Sequence, residues 1–355
     1  MPEPVTIRPF DPHTASRAEW AALHAYRRQR AAEEFPDVPL LADADFEHDV
    51  RRQHPFTVQQ RFLALRNGGI AGNIILAVRR EGTPGCEAYA PYVDVFGGVL
   101  MQQRRQGVGR ALFSHLHGYM GEHGKSLASI KVLFPDGHRF LAATGAEAKF
   151  RSVESHLALA DVPWEQMPAW RDQPEAARLP LRWEIHAPRA PLARLAQLMA
   201  PFSRLINQQP LGELEMPPIR YELAAFESWY RELDARGGEH YLIVLNAGDD
   251  VAAVCDANWD ARVPERVHQS FTAVAAPWRG QGVAKAIKAA MLLLVRERRP
   301  EVTTFTTYNA QANGPMLAIN QRLGFRVHRE ECTYQLGRGA LGAFLGAPRA
   351  SGTLP

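Results

Sequence analysis

The chain has 355 residues, 46% hydrophobic and 22% charged, with 41 basic against 38 acidic side chains and a formal net charge of +3. At roughly 100–200 residues per domain the length suggests two domains, and the Phe, Tyr and Trp content supplies enough apolar surface to exclude wholesale disorder. The near-balance of charge argues against a nucleic-acid partner and leaves room for a local basic patch facing a small anion.

Val5 to Arg8 is a short β-rich run, followed by a helical stretch from Ala15 to about Glu34. Arg61 to Leu65 and Ile70 to Leu76 flank Asn67-Gly68-Gly69, a hairpin composition. Tyr92 to Met101 predicts a strand. The loop Arg104-Arg105-Gln106-Gly107-Val108-Gly109-Arg110-Ala111 follows, and then Leu112, Leu116 and Tyr119, spaced as one face of an amphipathic helix. Residues 163–180 hold Pro163, Pro168, Pro174 and Pro180 with little periodicity and read as a linker. Leu181 to Ile185 is again β-rich. Helical stretches from Leu192 to about Ile206 and from Leu223 to Leu233 come next, then strands His240 to Leu245 and Val251 to Cys255 around a turn at Asn246 to Asp250. Val267 to Val274 predicts a strand, Arg279-Gly280-Gln281-Gly282-Val283-Ala284-Lys285-Ala286 a loop, and Ile287, Met291 and Leu294 a helix face. Residues 339–355, rich in Gly, Ala and Pro, are expected to form a flexible tail.

The second glycine loop repeats the first at an offset of 175 residues, close to half the chain. Both loops lie between a strand-like and a helix-like run. The expectation is two copies of one α/β unit, residues 1–162 and 181–338. A strand that ends in a glycine turn and opens a helix is an anion site, because the first helical N–H groups lack internal partners and the helix dipole favours negative charge. Gly107 and Gly109, or Gly282 and Ala284, admit a phosphate closely, and Arg104, Arg105 and Arg110, or Arg279 and Lys285, suit its charge. A Walker loop is excluded, since Gly124-Lys125-Ser126 has Tyr119 where the first glycine is needed. Neither loop has the third glycine of a dinucleotide fingerprint.

The motif Arg-x-x-Gly-x-Gly/Ala after a strand resembles the acetyl-CoA pyrophosphate loop of the GCN5-related N-acetyltransferases (GNAT). Asn309 to Phe325, with its Asn-rich start and Leu323-Gly324-Phe325 end, is similar to a second block of that family. Ala143-Thr144-Gly145-Ala146 is an eroded version in the first half. Two such units resemble the tandem GNAT proteins, with a two-domain architecture like that of mycothiol synthase. The resemblance implies two α/β (α+β) domains, each a mixed, mostly antiparallel, splayed sheet flanked by helices. It implies acetyl-CoA as co-substrate, its pantetheine arm paired with backbone at Val274 and Ala276. Its pyrophosphate would be held by Arg279, Gly280, Gln281, Gly282, Val283 and Ala284, and its arm by Asn313. Val99, Met101, Arg104, Arg105, Gln106, Gly107, Val108 and Gly109 match the same positions in the first half, which therefore also presents a CoA-binding candidate.

Amine acetylation needs a base for the ammonium and a proton for the departing thiolate. In the family the base often stands six residues before the position of Val274, which here is His268. Ser270 lies two residues on, on the same strand face. The first half has Val93 and Val95 at these places, with Asp94 expected on the other face, so catalysis is assigned to the second half. The family's general-acid Tyr is replaced by Asn320 and Leu141, leaving Tyr308, Tyr334, water or the substrate ammonium as the proton source. His115 and His117, two residues apart, do not share a helix face, and with His123 read as a solvated cluster; Cys86, Cys255 and Cys332 lack ligand spacing, so no metal is expected. Asp256, Asp260 and Glu265 are candidates to attract a cationic amine. The start of the chain shows no signal-peptide pattern and no apolar run is long enough to span a membrane, so a cytoplasmic monomer or homodimer acting on a small amine is expected. A non-catalytic acyl-CoA-binding protein and an acetyltransferase acting on a protein amine remain alternatives.

Overall fold

The structure, a computed structural model, describes residues 4–173 and 179–347. In chain order its elements are β1 (Thr6–Phe10), α1 (Arg17–Glu34), α2 (Asp43–Arg51), β2 (Thr57–Arg66), β3 (Gly69–Arg79), β4 (Tyr92–Val99), α3 (Val108–Glu122), β5 (Leu127–Val132), α4 (Pro135–Ala143), β6 (Glu147–Ala158) and α5 (Met167–Arg171). There follow β7 (Leu181–His186), α6 (Leu192–Ile206), α7 (Leu223–Ala235), β8 (Glu239–Ala247), β9 (Asp250–Trp259), β10 (Arg266–Val274), α8 (Val283–Arg298), β11 (Thr304–Ala310), α9 (Gly314–Leu323), β12 (Arg326–Gly337) and α10 (Arg338–Gly346). Local chemistry sets several boundaries. Ser16 caps α1 in a reciprocal capping box with Glu19. Asn67 and Gly68 both take positive φ, 50° and 71°, the pairing a tight hairpin between β2 and β3 requires.

Two compact units are formed. The first consists of the described residues within Met1–Lys149, Glu215–Pro217 and Cys332–Pro355, the second of those within Phe150–Leu214 and Pro218–Glu331. Strand order is β1-β2-β3-β4-β5-β12 in the first and β7-β8-β9-β10-β11-β6 in the second. The pairs β4–β5 and β10–β11 are parallel and the other pairs within these two orders are antiparallel. The compact units therefore differ from the sequence halves 1–162 and 181–338, because each half gives its last strand to the unit built from the other. Tyr334 of β12 lies opposite Ile130 of β5, and His156 of β6 lies opposite Thr306 of β11.

The helix after each exchanged strand goes with it. In the first unit α10 packs on α3, with Leu341 fully buried and the Arg110 guanidinium 4.9 Å above the Phe344 ring. The tail expected to be flexible is thus helical as far as Gly346, held by the apolar stripe Leu341, Phe344 and Leu345. Residues 348–355 lie outside the described residues. In the second unit α5 packs on α8, with Met167 fully buried and Lys285 Nζ 4.8 Å from the Trp170 ring centre. The expected linker is therefore packed structure up to Arg171. Pro168 sits in the first turn of α5, where its missing N–H has no helical acceptor to lose. Residues 174–178 lie outside the described residues.

Each sheet is covered on both faces. In the second unit Tyr241, Ile243 and Leu245 of β8 join a core with α8, while Leu242 and Val244 join one with α6 and α7. Burial on both faces explains why β8 reads as an unbroken apolar run. In the first unit Leu76, Val95, Leu112 and Leu116 pack between sheet and α3, and Phe10, Trp20, Leu23 and Tyr26 under α1.

Candidate functional site

The two glycine loops share one backbone. Arg105 and Gly280 take φ of 61° and 73°, and Gly107 and Gly282 take 85° and 79°, all in the left-handed region. Arg104 Nε donates to the Val99 carbonyl at 3.2 Å and Arg279 Nε to the Val274 carbonyl at 2.9 Å. Gln106 and Gln281 each donate back to a carbonyl four residues earlier, Gln102 and Pro277. The first helical bonds run from Ala111 to Gly107 and from Ala286 to Gly282. The N–H groups of Val108, Gly109 and Arg110, and of Val283, Ala284 and Lys285, precede those bonds and have no intrahelical acceptor, which is the chemistry of an anion cradle. Val108 and Val283 are buried and anchor the helix starts. Gly282 takes a φ of 79°, a conformation that a residue with a Cβ adopts only under strain, and a Cβ there would displace Gln173 Oε1, 2.6 Å away.

The surroundings differ in charge. In the first unit Arg104 pairs with the buried Glu34 at 2.9 Å and with Asp136 at 3.0 Å. Glu33 accepts the Met101 N–H at 2.8 Å, Arg30 donates to the Gly97 carbonyl at 2.7 Å, and the Tyr26 hydroxyl donates to the Gly98 carbonyl at 2.9 Å. The Met101 N–H, which the resemblance offers to a pantetheine arm, is thus already held by Glu33 of α1. In the second unit the corresponding partners are uncharged amides. Arg279 donates to Gln208 at 3.1 Å, and Gln209 donates to the Thr272 carbonyl at 3.3 Å. Among the described residues neither Arg279 nor Lys285 has a carboxylate partner, so the positive charge of this loop stays available. Asn313 caps α9, its Oδ1 accepting the Met316 N–H at 3.3 Å.

Upstream of the second loop a polar row crosses one face of the sheet. His240, Asn258, His268, Thr306 and His156 stand in register on β8, β9, β10, β11 and β6. His268 Nδ1 lies 3.0 Å from Thr306 Oγ1, and its ring centre is 5.7 Å from that of Tyr308. Ser270 is the extra residue of a β-bulge between Gln269 and Phe271, and it accepts a hydrogen bond from Asn258 Nδ2 at 3.0 Å. His268 and Ser270 therefore meet around Asn258. The bulge frees the Phe271 N–H to donate to Asp256 at 2.6 Å. Burial pushes the His268 imidazole below its ordinary value, against the opposing charges of Asp256 and Glu154. Glu154 accepts from His156 at 2.7 Å and from the Tyr308 hydroxyl. Burial, reinforced by the Glu154 charge, raises the Tyr308 phenol well above its ordinary range.

The sequence matches no protein-family model and no curated protein. Solved structures do match. The tandem GNAT protein from the clavulanic acid biosynthesis pathway is 21% identical with a TM-score of 0.69, over 95% of this chain and 99% of that one. The chain has the tandem GNAT fold. A GCN5-related N-acetyltransferase from Sphaerobacter thermophilus is 16% identical with a TM-score of 0.61, over 94% of this chain and 96% of that one. A glucosamine N-acetyltransferase region of a fungal multi-domain β-N-acetylglucosaminidase is 14% identical with a TM-score of 0.65, over 94% of this chain and 38% of that one.

Within this tandem GNAT fold the sheet registers correct one comparison made by offset alone. Ala275 and Leu100 make the same bond to the preceding strand, to Ala252 and Ala71, and the strands can be aligned from there. The bulge at Ser270 adds one residue to β10, so the counterpart of His268 is Asp94 and not Val93. Asp94 is exposed and faces away from the core that holds Val93 and Val95. Asn320, at the place of the family's Tyr, donates to Asn309 Oδ1 at 2.6 Å and carries no acidic proton. Tyr334 lies in the first unit, its hydroxyl 3.0 Å from His138 Nδ1. Asp260 is engaged by Arg236 and Arg262, while Asp256 remains beside His268. Sequence reasoning missed Glu154 and His156, which the strand exchange delivers, and Thr306, whose only signal was its place two residues before Tyr308. Among the described residues no cluster has metal-binding composition and geometry, and no helix is long and apolar enough to cross a membrane.

Proposed function

We propose that the protein transfers an acetyl group from acetyl-CoA to a primary amine, and that the second unit does so. The observation that carries this reading is the conjunction, along β10 and its loop, of an uncompensated basic anion cradle with a desolvated histidine. Acetyl-CoA would supply the activated thioester. The N–H groups of Val283 to Lys285, with Arg279, would hold its pyrophosphate, and the Ala276 N–H its arm. A depressed imidazole is neutral at physiological pH and is therefore ready to accept a proton from the substrate ammonium. The Thr306 hydroxyl holds the ring at Nδ1, and Asp256 and Glu154 give the vicinity a negative potential that draws a cationic amine. The first unit, its loop arginine neutralised by Glu34 and Asp136, is read as a partner that no longer takes CoA.

The alternative, a non-catalytic acyl-CoA-binding protein, is favoured by Asn320, which leaves the departing thiolate without the family's phenol. Release of free thiol from acetyl-CoA, measured with a panel of small amines alongside CoA calorimetry, separates the two. Turnover with one CoA bound per chain is expected. CoA binding without turnover on any amine would favour the alternative, and no CoA binding would end both.

A further inference from the structure

Lys288 is 2% exposed, with its side chain wholly inside the second unit between α8 and the sheet. A buried ammonium normally has a carboxylate beside it, because desolvation of an unpaired charge is costly. Among the described residues Lys288 has none. Its Nζ donates to Gln269 Oε1 and lies 5.2 Å from the Phe325 ring centre. Gln269 Nε2 in turn donates to Cys255 Sγ at 3.1 Å, and Thr272 Oγ1 to the same sulfur at 3.3 Å. Cys255 is the titratable group that acts on Lys288. Burial lifts that thiol to about 11, so it stays protonated and offers no counter-charge. Asp256, next along β9, is committed to the Phe271 N–H. The other neighbours, Gln269 on β10, Thr272 on β10 and Phe325 before β12, do not titrate.

The position of this cluster is informative. Gln269, paired with Thr307, is the last residue of β10 in register with β11 before the Ser270 bulge. The cluster thus underlies the point where the strands part. In the first unit the counterparts of Cys255, Gln269 and Lys288 are Ile74, Val95 and Phe113, all in the apolar core. The fold is therefore filled there without a polar group, and packing alone does not call for the lysine.

We propose that Lys288 provides the counter-charge and the proton for the thiolate that leaves when acetyl is transferred, in the role that Asn320 cannot fill. The inference rests on the reading that the second unit binds acetyl-CoA. As the amine nitrogen bonds to the carbonyl carbon, the carbon–sulfur bond breaks and its electron pair goes to sulfur. A proton passes from Nζ to sulfur, and solvent reprotonates the amine after CoA departs. Burial lowers Lys288 to about 8, so at neutral pH it is charged and still a ready donor.

The test uses CoA itself and the full chain. CoA is titrated while bound, with the thiolate followed by its ultraviolet absorbance, on wild type and Lys288→Met. A cationic neighbour should lower the bound thiol by about one to three pH units relative to free CoA. In Lys288→Met that shift should vanish, while calorimetry at pH 6.5, where the thiol is neutral, shows affinity within about threefold of wild type, since the variant removes no contact to the pyrophosphate loop. A bound thiol that titrates like free CoA in wild type overturns the proposal and does not depend on the variant folding. The same lowered value in both proteins also overturns it. Absence of any CoA binding by wild type would remove the parent reading instead, which calorimetry distinguishes from an unshifted thiol.

Discussion

Replacing Lys288 with methionine should stabilise the protein, and by an amount that depends on pH. The ordinary lysine value is 10.5 and the folded value is about 8. At about 1.4 kcal/mol per pH unit this difference corresponds to roughly 3 kcal/mol. Between about pH 8 and 10.5 the folded chain binds fewer protons at this site than the unfolded chain, so stability rises with pH across that window. Below about pH 8 the full cost of burying the ammonium is present. Methionine has a similar length, fills the same space beside Phe325 and needs no hydration. Lys288→Met is therefore expected to be more stable than wild type by roughly 3 kcal/mol at pH 7, with the gap closing toward pH 10.5. Urea unfolding of both proteins at pH 7 and pH 10 measures this directly. A variant less stable than wild type at pH 7, or a difference that is the same at both pH values, would refute the reasoning, because either result means that the ammonium is compensated in the native state.

His268→Gln should reduce turnover by about 10²–10⁴-fold with CoA affinity unchanged, and wild type should retain more than half of its maximal rate at pH 6.5 because the depressed imidazole is still mostly neutral there. A wild-type rate that halves above pH 6.5 would contradict that. Gly282→Glu should abolish CoA binding, by filling the space of Gln173 and placing negative charge in the cradle, while Gly107→Glu should leave calorimetric stoichiometry at one per chain. Two sites in wild type would show that Glu34 and Asp136 do not silence the first loop. Leu341→Ala should cost about 2–5 kcal/mol in denaturant unfolding, because the side chain is fully buried under α3; an effect below about 0.5 kcal/mol, the size of a surface change, would mean that α10 is not part of the first unit's core.

The parts of the fold that the sequence made legible are those where one residue type is forced by local geometry. Gly107 and Gly282 sit at positive φ at helix starts, and Arg104 and Arg279 reach the corresponding carbonyl in their own units, so the loop is a readable string in both. The hairpin at Asn67-Gly68 is legible for the same reason. What stayed hidden depends on distant partners. A strand such as β6 carries no mark that says which sheet it joins, so the arrival of Glu154 and His156 beside His268 was invisible. The Ser270 bulge shifts register by one residue, and an offset count across it picks Val93 where the sheet has Asp94. The Gly- and Ala-rich composition of α10 hid a helix whose stability comes from tertiary burial of Leu341.

The two units carry one loop backbone in different electrostatic surroundings. The backbone of the first loop is intact, even to the left-handed turn that Arg105 adopts in place of Gly280. What has changed is the company of its arginine. Glu33, Glu34 and Asp136 engage the Met101 N–H and Arg104 in internal hydrogen bonds and ion pairs, which on the proposed reading take the place of a ligand. In the second unit Gln208 accepts from Arg279 and Gln209 donates to the Thr272 carbonyl, neutral amides that are easier to displace than charged partners because they forfeit no ion pair. The same contrast recurs under the strands, where Ile74, Val95 and Phe113 face Cys255, Gln269 and Lys288. An unpaired charge is costly to keep in a buried site. The persistence of one at Lys288, where the first unit has Phe113, is accounted for on the proposed reading if the second unit meets a ligand that brings the opposite charge.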